Sequence, residues 1–208
     1  MEYNLPKKYL SYSAWNLWRT NKDEYRARYY EGKPSIETTE TIFGKTIAKK
    51  LEDDEKIIGS ETRIELEIVP GLKLLGYLDA FDEETYSITE YKTGHLSKDG
   101  KEPWSQIKVE KHKQLDWYSL LVKEKYGKVN NTVKLIWLET EFVKESREFG
   151  GHILEGETRV LRLTGKERTF RRIIVEWQRK KIKEEIINAA KAISEDYTVW
   201  QQKKLENS

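Results

Sequence analysis

Three residues carry the chemistry that this sequence could do: Asp79, Glu90 and Lys92, in the stretch DAFDEETYSITEYKTG. A strand ending Asp79-Ala-Phe, an acidic turn from Asp82 to Thr85 and a returning strand TYSITEYK read as a hairpin. With Phe81 opposite Tyr86, Asp79 lies opposite Ile88 and Tyr77 opposite Glu90. Side chains alternate along a strand, so Tyr77, Asp79, Ile88, Glu90 and Lys92 then share one face. Asp79 and Glu90 become diagonal neighbours with backbones roughly 7–8 Å apart. Converging carboxylates are hard oxygen ligands suited to Mg²⁺ or Mn²⁺. An ammonium beside them can orient a water or neutralise charge on a phosphorane-like transition state. The same residues also fit a solvated strand face with an ordinary Glu–Lys pair.

A second pair stands downstream. Gln114 and Tyr118, four apart on an expected helix, share a face and offer an amide and a hydroxyl to a phosphate or a base. A helix surface with a half-buried tyrosine is the plainer account of them. Trp104 is placed either to stack on a base or to pack locally. Arg168, Arg171, Arg172, Arg179, Lys180 and Lys181 fit a phosphate-tracking stripe or a solvated helix face.

The elements that must position these residues follow from periodicity. Helices are expected over 11–30, capped by Ser11 or Ser13, and over 36–54. Strands are expected at 61–69, 72–81 and 85–92, then a helix over 104–126. Strands at 132–143 and 156–164 and a helix over 167–193 complete the order, and 194–208 reads as a polar C-terminal tail. Two helices, three strands, a helix, two strands and a helix make a mixed α/β sheet with flanking helices, read as a single domain over 1–208 with its core at about 10–193.

Composition limits the chemistry further. The 208 residues contain no cysteine, which excludes disulfides, thiolate-bound zinc, iron–sulfur clusters and cysteine nucleophiles. His95, His112 and His152 are scattered and make no helical metal pair. Net charge is +2, so any basic surface must come from local arrangement. Seven Trp, twelve Tyr and five Phe supply enough apolar area for a core despite 36% charged residues. No run is long enough to span a membrane, and the start has no apolar signal segment, so a cytoplasmic protein with no membrane partner is expected.

The segments G-Y-L-D, I-T-E-Y-K-T-G and Q-L-D-W-Y together resemble the PD-(D/E)XK nuclease superfamily, closest to its RecB-like exonuclease branch. The opening L-S-Y-S-A-W-N-L-W from Leu10 is similar to that branch's first helix. The resemblance implies a restriction-endonuclease-like αβββαβ core and a metal-dependent deoxyribonuclease, an exonuclease with endonuclease action left open, serving DNA repair, recombination or processing. It implies Asp79, Glu90 and the Tyr91 backbone carbonyl as ligands of Mg²⁺ or Mn²⁺ and Lys92 as the catalytic lysine. Gln114 and Tyr118 match its QxxxY motif, and DNA is the implied partner.

Two departures stand out. The branch carries a histidine four residues after a helix glycine; here Gly44 is followed by Ala48, leaving Glu40 or Glu52 to substitute or to be surface charges. Thr20-Asn21 stands where relatives with an iron–sulfur cluster carry Cys-Pro, so no such cluster is expected. The missing histidine keeps a rival open: a nuclease fold that binds or scaffolds nucleic acid without cutting it.

Overall fold

The structure is a computed structural model and describes residues 3–35, 38, 42–44, 46, 61–144, 147–149, 152–154 and 159–207. A short strand β1 (Leu10–Ser11) leads into α1 (Tyr12–Thr20) and α2 (Lys22–Tyr29). Then come β2 (Thr62–Val69), β3 (Leu72–Leu78), β4 (Ala80–Asp82) and β5 (Ser87–Gly94). Helices α3 (Gln106–Glu110) and α4 (Lys113–Tyr126) precede β6 (Thr132–Lys144). The chain closes with β7 (Arg147–Phe149), β8 (His152–Leu154), β9 (Arg159–Ile173) and α5 (Glu176–Glu206). Two mixed sheets form, β1-β3-β2 and β4-β5-β6-β9, beside a β7–β8 ribbon. This is the expected mixed α/β class.

Helix α4 packs against α5 and against β2, β3 and β5. Trp15 of α1 and Trp117 of α4, both fully buried, meet with ring centroids 5.6 Å apart in the core. Gly76 of β3 permits the close approach of α4: a Cβ there would collide with Leu121 Cδ1 and come within 3.3 Å of Tyr118.

Several boundaries differ from the sequence expectation. The helix expected over 11–30 is two. Ser11 accepts from the Ala14 N–H, as a cap should, but Asn21 is extended (φ −155°, ψ 90°) and its side chain accepts from the Glu24 N–H, starting a new helix. The helix expected over 104–126 breaks after Glu110 and restarts at Lys113. The strand expected over 72–81 breaks at Asp79, because the chain leaves one sheet there and enters the other.

The largest correction concerns 167–173, which extend β9 and are not helical. Phe170, Arg172 and Ile174 alternate inward, all under 5% exposed, while Ile173 is 64% exposed. A buried arginine disguised the two-residue period. Trp177, in the first turn of α5, is 63% exposed. Residues 194–206, expected as a tail, continue α5, and Tyr197 and Trp200 pack on Tyr30. Most of the helix expected over 36–54, including Glu40, Ala48 and Glu52, lies outside the described residues. Residues 42–44 are helical, and Gly44 sits against Thr93, next to Lys92.

Candidate active site

Asp79 occupies the one position between β3 and β4, where neither sheet's ladder includes it. Its carboxylate takes over as acceptor: Oδ2 receives the Tyr91 N–H at 2.8 Å. The β4–β5 register is Ala80↔Thr89, Phe81↔Ile88 and Asp82↔Ser87. One step further, Asp79 falls opposite Glu90. The expected register is therefore wrong by two residues, although parity is kept and the carboxylates meet more directly than a diagonal pair. The cause is the turn. Asp82 Oδ1 accepts from the Glu84 and Thr85 N–H groups, and Tyr86 takes φ 55°, which closes the loop one residue later on each strand.

Glu90 and Lys92 point to the helix-covered face of the second sheet. Glu90 is 1% exposed. Lys92 Nζ donates to Glu90 Oε1 at 2.5 Å and to Gln114 Oε1 at 3.0 Å. Gln114 Nε2 in turn donates to the Tyr118 hydroxyl at 2.8 Å. Glu90, Lys92, Gln114 and Tyr118 thus form one hydrogen-bonded chain, and α4 supplies its far end. Tyr118 is 5% exposed with its ring packed beneath Gly76, so it reaches the site through Gln114 and offers no open face.

Electrostatics mark the same place. Burial pushes the Glu90 carboxyl up to about 8, with Lys92 opposing and Asp79 adding to the rise. Burial also raises Asp79, against the Tyr91 N–H and Lys92. Glu90 Oε2 is buried and receives no N–H or O–H donor among the described residues, and the Asp79 carboxyl lies close enough to share a hydrogen bond with a protonated Glu90. A buried carboxylate oxygen without a donor beside a second carboxylate is costly unless something neutralises it. A divalent cation fits that demand, and all the donors are hard oxygens. Among the described residues no group of three His, Cys, Asp or Glu converges, which leaves Asp79 and Glu90 as the acidic pair.

Two neighbours were not singled out from sequence. His112, at the start of α4, packs against Trp104 with tilted rings, centroids 5.0 Å apart, and has a buried Nε2 without a partner among the described residues. Burial, then Lys92 and Arg172, push it down to about 4, so it is neutral. Tyr12 lies close enough to feel Glu90; burial raises it, Arg19 lowers it and Glu90 raises it further. Its position directly after the Ser11 cap, in the motif-like opening, was the available signal.

Trp104 is partly buried against the core and pairs with His112. The six basic residues form no single stripe. Arg172 is buried, bonded to Asp116 at 2.7 Å and to the His112 carbonyl at 3.0 Å. Arg179 is buried on Ser119 and Asn131. Arg168 pairs with Glu102, and Arg171, Lys180 and Lys181 are exposed.

Asp79 at the strand break, Glu90 and Lys92 on β5 and Gln114 from α4 thus come together on a mixed α/β frame. The chain belongs to the PD-(D/E)XK nuclease superfamily, whose sequence profile matches residues 4–204. Its fold is similar to that of an alkaline exonuclease from Laribacter hongkongensis, with a TM-score of 0.54 and 11% identity over 99% of this chain and 96% of that one. It is also similar to a candidate exonuclease from Eubacterium rectale, with a TM-score of 0.52 and 10% identity over 92% and 80% of the two chains. At such identities the likeness is one of fold. No curated protein matches the sequence. Among the described residues no helix is long and apolar enough to cross a membrane.

Proposed function

We propose that this protein is a metal-dependent deoxyribonuclease that hydrolyses phosphodiester bonds, acting as an exonuclease in DNA repair, recombination or processing. The observation that carries the reading is the Asp79–Glu90 pair with its oxygen that receives no donor, joined to Lys92. Asp79, Glu90 and the Tyr91 carbonyl are the groups that would hold Mg²⁺ or Mn²⁺. When bound, such an ion polarises the phosphate and lowers the pKa of a water. Lys92 holds positive charge where the phosphate oxygens become more negative. Gln114 fixes the lysine amine, and Tyr118 fixes the amide, so the ammonium is placed before substrate arrives. Through that chain Gln114 and Tyr118 serve substrate binding. The exonuclease assignment draws on the names of the two similar structures.

The test is incubation of labelled linear and circular DNA with Mg²⁺, Mn²⁺ or EDTA. Linear DNA should be degraded with either metal and circular DNA spared, with EDTA stopping the reaction. DNA that is retained but uncut under every condition would instead establish a nuclease fold that only binds nucleic acid.

A further inference from the structure

The β6–β9 hairpin outruns the rest of its sheet. Strand β5 stops at Gly94, opposite Glu139, while β6 continues to Lys144. Where β5 stops, β9 bulges: Leu138 pairs with Glu167 and Thr140 with Leu163, so Thr164, Gly165 and Lys166 face Glu139 alone. Gly165 takes φ +85°, which L side chains rarely adopt, so the bulge is built into the sequence. It folds two side chains back onto Glu139. The Thr164 hydroxyl donates to Glu139 Oε2 at 2.7 Å, and Lys166 Nζ lies 3.4 Å from the same oxygen. Glu139 is 5% exposed and takes no part in the carboxylate pair. Lys166 keeps 78% of its side chain exposed.

On the other side, the chain leaving β5 supplies His95, whose ring meets Phe142 edge to face with centroids 5.3 Å apart. Phe142 remains 41% exposed. Glu139, Phe142, Thr164, Lys166 and His95 line a cleft of about 460 Å³.

The first residue lining the cleft, His95, follows Lys92 by three residues, roughly 10 Å of extended chain. Of its two carboxylates, Glu139 already has partners and Glu141 is exposed, and among the described residues no group of three metal-ligating side chains converges. A half-exposed ring in one cleft with a solvent-exposed ammonium suits a nucleotide, whose base has a π-face and whose phosphate is anionic. We propose that this cleft is a subsite for the nucleotide adjoining the scissile phosphodiester, with the base stacked on Phe142 and the phosphate held by Lys166. The proposal rests on the nuclease reading above. Glu139 and Thr164 hold the bulge, and His95 buttresses the ring.

Steady-state cleavage of an oligonucleotide carrying one abasic site, walked along the strand, tests it with wild type, Phe142→Ala, Phe142→Tyr and Lys166→Ala. Wild type should show KM raised roughly ten- to a hundredfold at one position of the abasic site. Phe142→Ala should show that rise on intact DNA and no further loss on abasic DNA, and Phe142→Tyr should restore discrimination. Lys166→Ala should raise KM and reduce the salt slope by about 1. Thermal unfolding of each variant separates lost stacking from lost folding. Wild-type KM in both alanine variants, or undiminished sensitivity of Phe142→Ala to the abasic site, overturns the subsite. A wild type that binds labelled DNA without cutting it retires the nuclease reading alone, provided both alanine variants release that DNA. Binding unchanged in both retires the subsite too.

Discussion

Lys92 is held at two points, by a buried carboxylate and by an amide that is itself held by a tyrosine. A long flexible side chain is thereby kept in one place before any substrate binds. Lys92→Ala should leave DNA retention nearly intact and lower cleavage by roughly 10²–10³ or more, because the charge acts on the transition state. Binding and turnover assays on the same preparation check this, and wild-type rates in the variant would remove Lys92 from the chemistry. His112 gives a pH prediction. Its folded value is about 4 against an ordinary 6.5, so the neutral form is favoured by folding. That stability is present above pH 6.5 and is lost as the pH falls through about 4. Thermal melts from pH 7 to 4 should show wild type losing on the order of 2 kcal/mol relative to His112→Phe, which has no proton to take up.

Helix α4 carries Gln114 and Tyr118, and its distance from β3 is set by the bare backbone of Gly76. Gly76→Ala would force Leu121, fully buried, and the Tyr118 ring to move. Overpacking of this kind costs about 1–3 kcal/mol. The variant should melt lower and also cleave more slowly than its remaining folded fraction accounts for, since Tyr118 anchors the Lys92 chain. A variant with wild-type turnover per folded molecule would show that α4 can shift without disturbing Lys92. The α4 start is fastened separately, by Arg172 of β9 bonding to Asp116 and to the carbonyls of Val109 and His112. That buried arginine belongs to the sheet and serves the helix.

At the scale of the molecule, the second and last helices close on each other. Arg26 of α2 makes two hydrogen bonds to Asp196 of α5, at 3.0 and 2.7 Å, and the Tyr30 ring lies against Tyr197 and Trp200. Asn4 reaches Ser194, Thr198 and Gln201. A chain ending at Glu195 should therefore be less stable by roughly 3–5 kcal/mol, as expected for losing packed aromatic side chains. Chemical denaturation of the shortened and full chains measures this. An unchanged midpoint would return 196–208 to the status of a tail.

The sequence alone determined the mixed α/β class and which site residues share a face, because strand parity and helical spacing are local properties of the chain. Asp79, Glu90 and Lys92 share a face under either register, and Gln114 and Tyr118 share one on any helix. Only the tertiary structure decided the rest. The break at Asp79 depends on two different sheets competing for one strand. The strand character of 167–173 depends on β6 lying alongside and on Asp116 accepting a buried Arg172. The depth of Tyr118 depends on Gly76 across the interface. Each of these is fixed by a partner distant in sequence, and burying a charge reverses the pattern by which a sequence announces its inner face.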